Sequence, residues 1–137
     1  MKVNQSPIST SLVAESARLD FLPKFFGEPL VIRGEALVYS WLRNLSKDYT
    51  GGYWNFYEIS SGGFYMAPVQ EGDLPISCEN GFEDTLTPDA AGIVATLYAL
   101  CQLANESEND NIIDMYHRLH EYSDSHPEGG KIYQAID

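Results

Sequence analysis

Asp48-Tyr49-Thr50-Gly51-Gly52-Tyr53-Trp54-Asn55-Phe56-Tyr57-Glu58-Ile59-Ser60-Ser61-Gly62-Gly63-Phe64-Tyr65-Met66-Ala67-Pro68-Val69 is rich in aromatics and carries two glycine pairs. Two β-favouring runs, 53–59 and 64–69, are joined by Ser60-Ser61-Gly62-Gly63. A short connection ending in glycines predicts a hairpin, because glycine reaches the positive φ angles of a tight reversal. Pro68 limits the second strand, since it cannot donate to a ladder. In the first strand Trp54, Phe56 and Glu58 point to one face, and Tyr53, Asn55, Tyr57 and Ile59 to the other. Aromatics on both faces predict a central hairpin covered on each side.

Upstream, residues 34–45 carry helical periodicity, with Leu37, Val38, Trp41, Leu42 and Leu45 on one face. Residues 15–27 read as one or two short helical turns, interrupted at Pro23 and stopped at Gly27. Residues 30–32 read as a short strand or extended chain, and residues 1–13 as a flexible arm. Downstream, residues 74–78 read as a third strand and Asn80-Gly81 as a further turn. Thr87-Pro88-Asp89 then opens a helix with a capping residue, a first-turn proline and an early acid. Its stripe of Ala90, Ile93, Val94, Leu97, Leu100, Cys101 and Ala104 is backed by more apolar residues, which predicts a buried central helix. Residues 110–124 form another amphipathic helix, with a terminal turn over 131–136. The expected architecture is α+β: an antiparallel meander of three to four strands packed with about four helices, as a single domain over 14–137.

The 137 residues carry a net charge of −12, and its distribution is uneven. Residues 48–117 hold twelve of the twenty acids and no Lys or Arg. Aromatic strands can stack bases, but phosphate binding needs cations beside them, so direct nucleic-acid binding is not expected. The acids fit either a solvated surface or contact with a basic protein partner. Glu71, Asp73, Glu79, Glu83 and Asp84, in loops beside the sheet, form the densest group and the candidate partner surface. The longest apolar stretch, 90–101, is too short to cross a bilayer. Cys78 and Cys101 fit no disulfide framework or metal spacing and are expected as free thiols in the reducing cytoplasm, with Cys101 inert in its apolar helix.

Catalytic chemistry finds little support. There is no nucleophile elbow, phosphate-binding glycine loop or cofactor motif. Asp114, His117 and Glu121 share one helical face, with His120 beside them, and could begin a metal site in a small hydrolase. A histidine among helix carboxylates on a surface is the plainer explanation.

Several blocks resemble the ArdB/KlcA family of antirestriction proteins. They are Arg18-Leu19-x-Phe21-Leu22-Pro23-Lys24-x-Phe26-Gly27, Leu37-Val38-Tyr39-x-Trp41, and Asp48-Tyr49-x-Gly51-Gly52-Tyr53-Trp54-x-Phe56-Tyr57-Glu58. Gly62-Gly63-Phe64-Tyr65-Met66-Ala67-Pro68, Asn80-Gly81-Phe82 and Ala90-Ala91-Gly92-Ile93-Val94-Ala95-Thr96-Leu97 follow in order. The resemblance implies protection of incoming mobile-element DNA by inhibition of a host type I restriction-modification enzyme, acting on it or on an associated host factor. It brings no catalytic residues to carry over. Two mechanisms stay open: imitation of DNA phosphates by the acids, or binding that does not imitate DNA. The second is favoured, because the acids are scattered through turns and helix ends. A homodimer built on the aromatics is a further alternative.

Overall fold

A computed structural model describes residues 7–137. Its elements are β1 (Thr10–Leu12), a 3-10 turn (Glu15–Ala17), α1 (Arg18–Phe26), α2 (Val31–Leu45), β2 (Trp54–Ile59) and β3 (Phe64–Pro68). They continue as β4 (Leu74–Ser77), β5 (Glu83–Leu86), α3 (Pro88–Ser107), α4 (Asp110–Ser123) and α5 (Gly129–Ile136). The class is α+β, as expected, and one hydrophobic core runs from Phe21 to Ala135.

The β2–β3 hairpin forms as the alternation predicts, with Trp54 opposite Pro68, Tyr57 opposite Tyr65 and Glu58 opposite Phe64. Gly62 and Gly63 take φ of 96° and 114° in its turn, values that a side-chain-bearing residue adopts only under strain. Each face is covered. Phe64 sits among Phe21, Phe25 and Phe26 of α1, with ring centroids 6.0, 5.2 and 5.0 Å away. On the opposite face Tyr65 stacks between Tyr57 and Tyr122 of α4.

The strands do not make a single meander. They divide into a three-stranded sheet, β1-β2-β3, and a two-stranded ribbon, β4-β5. The register explains why. Tyr53–Val69 and Ile59–Gly63 are hydrogen-bonded across the hairpin, so Met66, opposite Phe56, turns its N–H and carbonyl away from β2 to the open edge of β3. There α3 takes the place a fourth strand would occupy. Met66 N–H donates to Thr96 Oγ1 at 3.3 Å, and the Thr96 hydroxyl reaches back to the Gly92 carbonyl at 2.8 Å. Pro68 shares this edge, where its missing N–H leaves no orphan. Thr96, fully buried, is thus the polar cap on a sheet edge. Thr96→Val keeps the shape but strands a buried N–H, and is expected to cost about 1–3 kcal/mol in a denaturant melt; no change would mean that the edge is satisfied some other way.

The third strand of the main sheet comes from the N-terminal side. Thr10, Ser11 and Leu12 pair antiparallel with Ile59, Glu58 and Tyr57. Part of the expected arm is therefore sheet, and residues 1–6 lie outside the described residues. α2 begins at Val31, so residues 31–32, expected as extended chain, belong to its first turn, tied by Gly34 N–H to the Leu30 carbonyl at 2.8 Å. Pro23 lies inside α1 without breaking it. The carbonyl it deprives of a partner belongs to Leu19, whose residue is 91 % exposed, so water can satisfy it.

α3 touches α2, β3, β4, β5, α4 and α5 and is buried on nearly every side, as its composition predicts. Thr87 Oγ1 accepts from Ala90 N–H at its start. Cys101 departs from the expected stripe: it is exposed, whereas Cys78 is buried. Burial pushes the Cys78 thiol above its ordinary pKa. A thiol reagent at neutral pH is therefore expected to label Cys101 rapidly and Cys78 only on unfolding. Two fast thiols, or none, would contradict this packing.

Candidate functional site

All five residues of the expected acidic surface are exposed. Glu71 and Asp73 precede β4, Glu79 lies in the β4–β5 turn, and Glu83 and Asp84 begin β5. Ser77 pairs with Glu83 and Leu74 with Leu86, which brings Glu79 and Glu83 to one end of the ribbon. Glu71 and Asp73 stand at the other end, beyond the four-residue β4, roughly 13 Å away along an extended strand. The five share one ribbon but form two groups. Asp84 is also partly engaged, 3.5 Å from Lys131 Nζ, which in turn donates to the Thr85 carbonyl.

Other bases are similarly occupied. Lys24 lies near Glu58, and Arg118 pairs with Asp114 while donating to the Ser61 carbonyl in the hairpin turn. The Arg18 guanidinium lies 4.5 Å from the ring centre of Tyr53 and 3.9 Å from that of Phe56. Arg33 grips Glu106 with two hydrogen bonds, 3.1 and 2.7 Å, fastening α2 to α3. Those bonds, with one from Gln102, hold the Glu106 carboxyl down to about 2. Its folded pKa lies below the unfolded value near 4.3, so its contribution is present above that pH and is lost as pH falls toward 2. The pair is exposed, so the effect should be modest: Arg33→Ala is expected to flatten the acid limb of the stability–pH profile slightly. An identical acid limb would remove this pair as its source.

The helical group of Asp114, His117 and Glu121 does not converge. Asp114 turns to Arg118, and His117 packs edge-on against Tyr116. Among the described residues no three His, Cys, Asp or Glu side chains stand close enough to hold a metal ion.

A different, partly buried polar cluster is built at the start of α3. Asp89 accepts from Tyr65 Oη at 2.7 Å and faces His126 Nε2 at 2.8 Å. His126 Nδ1 accepts from Glu128 N–H, which assigns the ring proton to Nε2 and makes it the donor to Asp89. The Glu128 carboxylate in turn receives Thr87 N–H and Oγ1–H. The His126 side chain is 6 % exposed and Tyr65 1 %. The Asp89 side chain, 39 % exposed, opens the cluster to solvent at one end; the chain of groups has the members of a proton relay, and it clamps the start of α3 to β3 and the α4–α5 connection. Burial, reinforced by the Asp89 charge, pushes the Tyr65 hydroxyl well above its ordinary pKa. That raised value adds stability below about pH 10, lost as the pH rises further. In the sequence Asp89 reads only as a first-turn acid, and His126, 37 positions away, gives no local sign of its partner.

The chain belongs to the antirestriction protein family, whose model matches residues 47–137. An antirestriction protein KlcA of Escherichia coli is 52 % identical over the whole of both chains. A second KlcA of Escherichia coli is 50 % identical, covering 96 % of this chain and 95 % of its own. A solved structure matches over 100 % of both chains with a TM-score of 0.90 and 53 % identity. It comes from work on KlcA and ArdB, which are described as having a novel fold and antirestriction activity against type I DNA restriction systems in vivo but not in vitro. No helix among the described residues is long and apolar enough to cross a membrane.

Proposed function

We propose that this chain protects incoming mobile-element DNA by inhibiting a host type I restriction endonuclease in the cytoplasm, through non-catalytic binding that is not simple imitation of DNA. The full-length likeness to KlcA carries the reading. The activity of the solved relatives in vivo but not in vitro supports its second half. A DNA mimic needs only the restriction enzyme and should work in a purified mixture, whereas a binder that acts through a host factor or an assembled cellular state should not. The split of the acids between two ends of a short ribbon points the same way, since phosphate imitation calls for a continuous charged array.

Glu71, Asp73, Glu79, Glu83 and Asp84 are proposed as the contact surface toward the restriction enzyme or its host factor. Reversing all five to lysine is expected to reduce protection of unmodified phage at least about tenfold, by setting like charge against a basic partner. Full protection by that variant would remove the ribbon from the mechanism. The mechanism itself is tested with purified type I enzyme and unmodified DNA. The protein alone should leave cleavage unchanged, and adding host extract should bring inhibition. Inhibition by the protein alone that fades steeply with salt would instead favour DNA mimicry.

A further inference from the structure

Between α2 and α3 the surface carries two shallow hollows that share Trp41 and Tyr98. The two rings stack with centroids 4.6 Å apart and planes 19° from parallel, forming an aromatic ridge. Both are fixed by their polar ends: Trp41 Nε1 donates to Gln102 Oε1 at 2.9 Å, and Tyr98 Oη to the Ala135 carbonyl at 2.6 Å. Both stay only half-buried. The sequence places Trp41 in the apolar stripe of α2, yet the fold leaves it and Tyr98 lining surface hollows.

Each hollow has one carboxylate at its rim, Glu106 on one side of the ridge and Glu79 on the other. Glu106 is already held by Arg33. Glu79 makes no ion pair or side-chain hydrogen bond among the described residues, and neither hollow is lined by Lys or Arg. Pre-positioned ring faces beside a free carboxylate, on a chain of net charge −12, favour a cation carried on a long side chain. Arginine fits best, because its planar guanidinium stacks on an aromatic face while its edge forks onto a carboxylate. A nucleobase would stack equally well, but its phosphates would meet carboxylates and no cation.

We propose that the Trp41–Tyr98 ridge is a docking groove for an extended arginine-bearing segment of a partner protein, one guanidinium lying on the ridge and pairing with Glu79. The identity of the partner rests on the antirestriction reading, in which the segment belongs to the restriction complex or its host factor outside the DNA channel; binding of such a segment does not.

Trp54 is 3 % exposed, so a change in tryptophan emission on adding a ligand reports on Trp41. Titration with a peptide of alternating glycine and arginine should shift that emission, with affinity falling at least about tenfold from low to high salt. The glycine–glutamate counterpart should do nothing. Trp41→Leu should abolish binding of the arginine peptide, followed by chemical-shift changes, and Trp41→Phe should retain most of it. If Trp41→Leu fails to fold, Glu79→Lys, in an exposed turn, carries the test and should weaken binding about tenfold or more. No response to the arginine peptide, equal response to the glutamate peptide, or indifference to Glu79→Lys overturns the proposal. So does a peptide-free dimer abolished by Trp41→Phe or Glu79→Lys, which would make a second copy the occupant. Glu79→Lys that loses the peptide yet protects phage fully removes the groove from the partner contact and leaves the antirestriction reading standing. A wild-type chain that binds the peptide but protects no DNA overturns that reading instead.

Discussion

Gly92→Ala is expected to destabilise the protein by about 3 kcal/mol, although alanine improves helix propensity by about 1 kcal/mol. An added Cβ would stand 2.3 Å from the Met66 carbonyl oxygen, 2.5 Å from Ala67 Cα and 2.7 Å from Ala67 Cβ. The first two are backbone atoms of a fully buried strand, which cannot move aside as a flexible side chain would. Relief requires α3 to back away from β3, and that withdraws Thr96 from the Met66 N–H it caps. With a urea m-value of about 1–3 kcal/mol/M, the midpoint should fall by roughly 1–3 M. An unchanged midpoint would show that α3 does not seal the edge of β3 at this range. Gly92→Leu, which adds bulk where a single carbon already collides, should not yield a folded protein.

Phe64→Ala should be at least as damaging, at about 4 kcal/mol, because a fully buried ring is lost from a cluster that cannot close around the space. Phe64 joins the hairpin to Phe21, Phe25 and Phe26, so it is the point where α1 is fastened to the sheet. For a domain of this size the thermal midpoint should drop by roughly 15 °C. Phe64→Leu, which refills most of the volume, should recover most of the loss. Equal damage from both variants would mean that ring geometry, and not filled volume, holds this junction.

The hairpin is legible in the sequence because its information is local: alternation sets the faces, and paired glycines set the turn. α3 is legible for the same reason, through Thr87, Pro88 and an unbroken apolar run. Long-range choices are not. Whether Leu74–Ser77 joins the main sheet depends on what occupies the edge of β3, and that is decided by Gly92 and Thr96, a helix away. β1 is three residues of modest strand propensity that become a strand only because the open side of β2 is there to pair with. The start of α2 is hidden by β-branched Val31 and Ile32, which read as extended until the turn at Gly27–Leu30 fixes them. The acidic surface is visible as composition, but its division between two ends of a ribbon follows from strand register. The cluster of Tyr65, Asp89 and His126 is assembled from three elements, and nothing near any one of them announces the others.

The proposed mechanism blocks type I restriction without occupying the enzyme's DNA channel. Its most direct test is the plating of unmodified phage on cells with an active type I system, with and without the protein, followed by scoring of methylation in the surviving phage. Restored plating with methylation intact is expected, because modification, which uses the same DNA-binding channel as cleavage, continues when that channel stays open. Restored plating with methylation lost would contradict it in favour of DNA mimicry. No restoration, with the protein folded and abundant, would contradict the antirestriction function itself.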